Sequence, residues 1–375
     1  MSGAVKSVAD IVSRYEVVVC AGSGGVGKTT TAAAMGLLGA SLGRRSIVLT
    51  IDPAKRLADA LGIGELGNQP TEVAAGEKGS LSAMMLDQKG AWDALVERYA
   101  DSEESRERIF ANAFYQNLSG TFAGSQEYMA IEQLSQLHDS GDYDLIVVDT
   151  PPTHHALDFL DAPRRLGNFL DRRVMRWFVR PYMSAGWSGL RVVNRTASAL
   201  LRRLEDATGV SALADVSEFF GAMSDLFEGW DERVRRVERL LRSDRSAFVL
   251  VATPEEQVLS EAEYFCSKVE EHAIALRGIV FNRIQAELAA DEEGLDSARI
   301  DEVVKRSISS RATRERLVAN FLRYEEQARG DQLRIESFRE QLDGDVAVAT
   351  IPNFEEDLHD LAGLRRILEF LRRAS

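Results

Sequence analysis

Short apolar runs rich in β-branched side chains alternate along this chain with longer stretches of helical spacing. The runs are Tyr15–Ala21, Ser46–Ile51, Leu81–Leu86, Asp144–Asp149, Ala247–Ala252, Gly278–Asn282 and Asp345–Thr350. Each is nearly continuous in apolar character, the pattern of a strand covered on both faces. Strands separated by helices predict an α/β fold with a doubly wound, mostly parallel sheet. In such sheets ligands bind beyond the carboxyl ends of the strands. Polar residues gather at those ends: Ser23, Asp52, Asp87, Asp149, Thr253 and Asn282.

Two connections are too long for plain crossovers. Residues 88–142 and 163–244 carry apolar positions at the spacing of amphipathic helices. The second is rich in Phe, Trp, Met and Leu, as in "LGNFLDRRVMRWFVRPYM". Both are expected to be helical insertions that form one lobe at the edge or rim of the sheet. Residues 286–343 are expected to form a third, strongly charged helical excursion. No internal repeat, low-complexity linker or composition break divides the chain, so residues 1–375 read as a single domain.

The first strand runs into "AGSGGVGKTT". Gly22, Ser23, Gly24, Gly25, Val26, Gly27, Lys28 and Thr29 satisfy G-x-x-x-x-G-K-[ST], with a helical stretch beginning at Thr30, itself part of the nucleotide-binding loop. A strand before the motif and a helix after it are the context the motif requires. Its glycines let backbone N–H groups turn toward phosphate oxygens, and the helix start adds partial positive charge. Lys28 is placed to reach the β- and γ-phosphates, and the Thr29 hydroxyl to ligate Mg²⁺. Asp149, ending "DLIVVD", would stand beside this loop and hold Mg²⁺, usually through its water. Asp52 in "TIDPAKRLADALG" has two readings at this stage. It is a carboxylate that orients or deprotonates water, or it is the N-cap of a helix with Pro53 at the first position.

Charge and cysteine content narrow the partners. Against 45 Lys+Arg stand 59 Asp+Glu, a net charge of −14, which argues against a broad nucleic-acid footprint. No apolar run approaches the about 18 residues of a membrane span. The start "MSGAVKSVADIVSRYE" lacks the apolar core of a signal peptide. A cytoplasmic protein, not integral to a membrane, is expected. The two cysteines, Cys20 and Cys266, fall in strand and helix patterns and read as small buried side chains. They support no disulfide framework, four-thiolate zinc site or iron–sulfur cluster.

The loop, the "DPA" segment and "VVDTPPTHHALDFL" together resemble the arsenical pump-driving and tail-anchored-protein-targeting ATPases of the deviant P-loop class. The resemblance runs in order along nearly the whole chain and reaches Asn282 and "TIPNFEEDL". It implies ATP and Mg²⁺ as cofactors, with Lys28 and Thr29 as phosphate and metal ligands. It makes Asp52 the switch I carboxylate that positions or activates water. Asp149 with Thr150, Pro151, Pro152, Thr153 and His155 becomes switch II, the sensor of the γ-phosphate, with His155 a relay residue. Asn282 is implied as an adenine contact and Pro352 as part of the adenine pocket wall; both residues are also ordinary at strand ends.

The departures carry as much information. Members of that family place a signature lysine where this chain has Ser23, and in a dimer that lysine reaches the partner's phosphates. A cation supplied in trans to a transferring phosphate is worth roughly 10³–10⁵ in rate. The resemblance therefore implies a dimer, with a lysine-bearing paralogue or with itself, and weak hydrolysis by this chain alone. Lys55 and Arg56 replace the usual His-Asn, either as exposed residues or as a substitute charge. Cys20 and Cys266 match neither a C-x-x-C zinc pair nor a metalloid site, so arsenite stimulation is not expected. The expected function is an ATP-driven switch whose helical lobe opens and closes on a hydrophobic helical client or a membrane-protein partner. The alternatives are a nucleotide-binding regulatory subunit with negligible hydrolysis and the ATPase subunit of an anion or metalloid efflux pump.

Overall fold

The structure is a computed structural model. It describes residues 5–52, 54–73, 79–100, 102–112, 115–116, 119, 125–151, 224–288, 297–342, 345–356, 358 and 360–374. Its strands are β1 (Val17–Gly22), β2 (Arg45–Thr50), β3 (Thr71–Val73), β4 (Ser80–Met85), β5 (Leu145–Asp149), β6 (Ser246–Ala252), β7 (Leu276–Ile284) and β8 (Ala347–Pro352). They form one sheet in the order β3-β4-β2-β5-β1-β6-β7-β8. Every pairing is parallel except β3 with β4, which is antiparallel at the edge. Seven strands match the expected apolar runs. The short β3 has no such run, because an edge strand of three residues with one buried side chain leaves little periodicity to read.

The helices are α1 (Val8–Arg14), α2 (Lys28–Ser41), α3 (Arg56–Leu61), α4 (Gln88–Tyr99), α5 (Glu103–Ala111), α6 (Ser125–Ser140), α7 (Ser224–Leu241), α8 (Glu256–Glu271), α9 (Ser297–Lys305), α10 (Arg311–Arg339) and α11 (Leu361–Leu371). Because side chains alternate along a strand, each strand feeds two cores. Val18, Cys20, Val48, Val147 and Val249 meet α1, α2, α3 and α11 on one face. Val17, Val19, Leu49, Val148 and Phe248 meet α4 to α8 and α10 on the other. Residues 88–142 thus hold α4, α5 and α6, and Trp92, Leu95, Met129 and Leu134 pack into the second core. Of the second expected insertion only α7 and the turn that follows it are described; the segment before it, expected to form the lobe, lies outside the described residues, as do Pro152, Thr153 and His155. The charged excursion appears as α9 and the long α10.

β1 lies between β5 and β6, so its carboxyl end opens at the middle of the sheet. The register sets Asp149 opposite both Cys20 and Thr50. At the opposite end of these strands Arg44 ties the layers together. Its guanidinium donates to the carbonyls of Val12, Tyr15 and Asp144, joining α1, the start of β1 and the start of β5. Arg44→Ala strands three carbonyls and should lower unfolding stability by roughly 2–3 kcal/mol. A urea denaturation midpoint equal to that of the wild type would refute that role for Arg44.

Candidate functional site

β1 leaves the sheet through a turn that only glycine permits. At Gly22 φ is 154°, and a Cβ there would lie 2.1 Å from the Val251 carbonyl oxygen. Gly27 has φ 93° and would place a Cβ 2.3 Å from Asn282 Nδ2. It is also the N-cap of α2, and it offers no side-chain cap. The first N–H groups of α2 therefore lack an internal acceptor and suit an anion. Above them is a cleft of about 530 Å³. Gly24, Gly25, Gly27, Lys28, Thr29 and Thr30 line its floor, Asp52, Arg56 and Thr150 one side, and Asn282, Pro352 and Phe354 another. Gly22, Ser23 and Val26 belong to the same loop without lining the cleft.

Two buried charges set the electrostatics. Lys28 is 8% exposed, and its Nζ donates to the Ser23 carbonyl at 2.7 Å. Burial pulls its pKa below the usual lysine value, opposed by Cys20, Asp149 and Asp52. Asp149 is 1% exposed, and its Oδ2 accepts from Thr29 Oγ1 at 2.8 Å and Thr50 Oγ1 at 2.9 Å. Burial pushes its carboxyl up to about 6, against the pull of those two hydroxyls and of Lys28. Its Oδ1 is buried and has no hydrogen-bond partner among the described residues. Thr150 follows, with its N–H and Oγ1 both donating to the Cys20 carbonyl.

Asp52 is not a helix cap. α3 begins at Arg56 with Lys55 as its N-cap, while Asp52 Oδ1 accepts from the Ala54 N–H at 3.0 Å in a tight turn. Its Oδ2 pairs with Arg56 Nη1 at 3.0 Å. Lys55 pairs with Glu65 and does not line the cleft. Asn282 Nδ2 donates to the Val26 carbonyl at 2.8 Å and its Oδ1 accepts from the Arg283 N–H, leaving one N–H and one lone pair for a ligand. Cys20 is buried, Cys266 is half-buried, and neither forms a disulfide.

Residues 15–344 match the family model described as anion-transporting ATPase, ArsA. This chain belongs to the ArsA ATPase family. Among its relatives, "ATPase ASNA1 homolog 1" of Paramecium tetraurelia is 26% identical over 70% of this chain and 73% of its own length. "ATPase GET3" of Malassezia globosa is 26% identical over 71% of this chain and 72% of its own. "ATPase ASNA1 homolog" of Trypanosoma cruzi is 26% identical over 72% and 75%. The ArsA-family chain is accordingly an ATPase.

Several residues of this ArsA-family site escaped the sequence reading. Between Phe281 and Ile284 the pairing of β7 with β8 slips, and Arg283 takes φ 59° on the cleft wall. A bulge of this kind re-aims side chains and recurs beside active sites. Phe354 lines the cleft with the Arg366 guanidinium 4.6 Å from its ring centre. Glu261 of α8 accepts from Ser23 Oγ at 2.6 Å. A lone polar residue in a loop or on a helix gives no local signal of such a contact.

The raised carboxyl of Asp149 has a measurable consequence. Its proton is held more tightly folded than unfolded, so it adds stability at low pH that is lost as pH rises through about 6. With nucleotide and Mg²⁺ absent, the stability of the wild type relative to Asp149→Asn should fall by roughly 1–1.5 kcal/mol from about pH 5 to about pH 7.5. A difference independent of pH in calorimetric scans would contradict the assigned burial cost.

Proposed function

We propose that this ATPase is a Mg²⁺-dependent switch that binds and hydrolyses ATP and acts as a dimer. The observation that carries the reading lies at Thr29, on the floor of the cleft. There Thr29 and Asp149 are hydrogen-bonded, and one carboxylate oxygen is buried without a partner among the described residues. A hydroxyl beside a carboxylate, all oxygen donors, fits a hard divalent cation that keeps some of its water. Thr29 would hold the metal directly and Asp149 through water, and the metal would neutralise charge on the phosphates. Lys28, released from the Ser23 carbonyl, would engage the β- and γ-phosphates. Asp52 would orient or deprotonate the attacking water once Arg56 yields it. Asp149 and the Thr150–His155 segment would respond to the γ-phosphate and pass the change to the helical lobe. That the lobe closes on a hydrophobic helical client is supported by the Phe-, Trp- and Met-rich sequence between residues 167 and 230.

A second reading, a nucleotide-binding subunit with negligible hydrolysis of its own, draws on specific contacts. The residues that could replace the signature lysine are engaged, Arg56 with Asp52 and Lys55 with Glu65. The Ser23 hydroxyl is held by Glu261. Efflux of a metalloid has less support, because burial raises the pKa of both thiols, Cys266 to about 11, and a protonated thiol is a poor ligand.

Binding and turnover separate these readings. Lys28→Ala should weaken ATP binding by roughly 10–100-fold, the loss of charged hydrogen bonds. Asp52→Asn should leave binding near wild type and cut turnover by about 10²-fold or more. Turnover by the lone chain should be slow and should rise when a lysine-bearing paralogue is added. Equal ATP affinity in wild type and Lys28→Ala would remove the switch reading altogether. Turnover indifferent to Asp52→Asn, with binding still dependent on Lys28, would favour the regulatory subunit.

A further inference from the structure

The middle of the phosphate loop is open: a Cβ built on Gly24 or Gly25 would meet nothing within 4 Å. Its two ends are held by side chains from elsewhere in the fold. At the back, Asn282 of β7 donates to the Val26 carbonyl at 2.8 Å. At the front, Ser23 Oγ donates to Glu261 Oε2 at 2.6 Å, across 238 positions of sequence. Ser23 is itself 7% exposed, and its carbonyl is the acceptor that holds the Lys28 amine at 2.7 Å. One residue therefore links a carboxylate of α8 to the lysine of the loop.

We propose that Glu261 is a positioning residue of the ATPase site: by holding Ser23 it fixes the front of the phosphate loop and the resting place of Lys28. This rests on the reading that the cleft binds ATP. The strut is carried by a rigid element, since Leu259, Ala262, Phe265 and Val269 of α8 are buried in the core beneath β6 and β7. A short hydrogen bond to a charged acceptor is among the stronger kinds, and the serine contributes no cation of its own. No ion pair neutralises Glu261 among the described residues, and its carboxylate stands one hydrogen bond from the phosphate loop. The two properties of the side chain thus oppose each other. Its acceptor oxygen orders the loop, while its charge repels the ligand.

Two variants separate these effects, with binding of ATP and of inorganic tripolyphosphate, each with Mg²⁺, read by titration calorimetry. Glu261→Ala removes the strut and should weaken both ligands by about tenfold, the scale of a hydrogen bond to a charged group. Glu261→Gln keeps an acceptor oxygen and loses the charge, so both should bind about two- to fivefold tighter than to wild type. Ser23→Ala should weaken both ligands as Glu261→Ala does, and the double variant should add no further loss, since both changes break one contact. Glu263→Ala removes an exposed charge from the same helix and should leave both affinities unchanged. Wild-type affinity in Glu261→Ala overturns the proposal. So does equal weakening in the Ala and Gln variants accompanied by a lower Tm of the ligand-free protein, which marks a general packing role. If the wild type binds tripolyphosphate but not ATP, the ATP reading fails while the loop-positioning role survives. Binding of neither ligand removes both.

Discussion

The burial of two opposite charges, at the start of α2 and at the carboxyl end of β5, is the constraint on which the rest of this architecture turns. Lys28 and Asp149 are almost wholly withdrawn from water, yet neither rests in a direct ion pair with the other. Lys28 leans on a loop carbonyl and Asp149 on two threonine hydroxyls, and burial shifts the pKa of each toward its neutral form. Buried charges so incompletely compensated are costly unless a ligand completes them. The parallel sheet makes the arrangement attainable. β1 must lie between β5 and β6, and its register with β5 must bring Cys20 level with Asp149 while Thr50 arrives from β2. A shift of one residue would turn Asp149 to the other face and break both hydroxyl contacts.

That constraint explains which parts of the site could be read from sequence. The loop, its lysine and Asp149 announce themselves because each is tied to a local pattern. Continuous apolar runs mark the buried strands, and a polar residue at the end of such a run has one natural place, the ligand edge of the sheet. Asp52 was legible as a site residue but ambiguous in role, because an aspartate before Pro-Ala serves a turn and a helix cap equally well. The hydrogen bond to Ala54 and the pair with Arg56 assign it to the turn, with its carboxylate on the cleft. What remained hidden depends on contacts between distant segments. The bulge that places Arg283 on the cleft wall is a failure of register between β7 and β8, and register is a property of two strands together. Phe354 reads as an ordinary aromatic after a strand until the cleft beneath it is known.

Ser23 shows the same limit most sharply. The resemblance carried by the loop implies a lysine at this position, where this chain has serine. In the fold, the residue at this position has a carboxylate within hydrogen-bond reach, and its hydroxyl already serves that carboxylate. Position 23 and Glu261 therefore work as a unit. With serine, Glu261 keeps its charge beside the phosphate site and orders the loop. A lysine at the same place would meet that carboxylate inside its own chain, and part of its charge would be spent there before reaching any neighbouring subunit. The electrostatic consequence of the serine is thus the sum of an absent cation and an anion that no ion pair compensates among the described residues. On the proposed reading both act against accumulation of negative charge on bound phosphates, and a cation brought from outside the chain would relieve both.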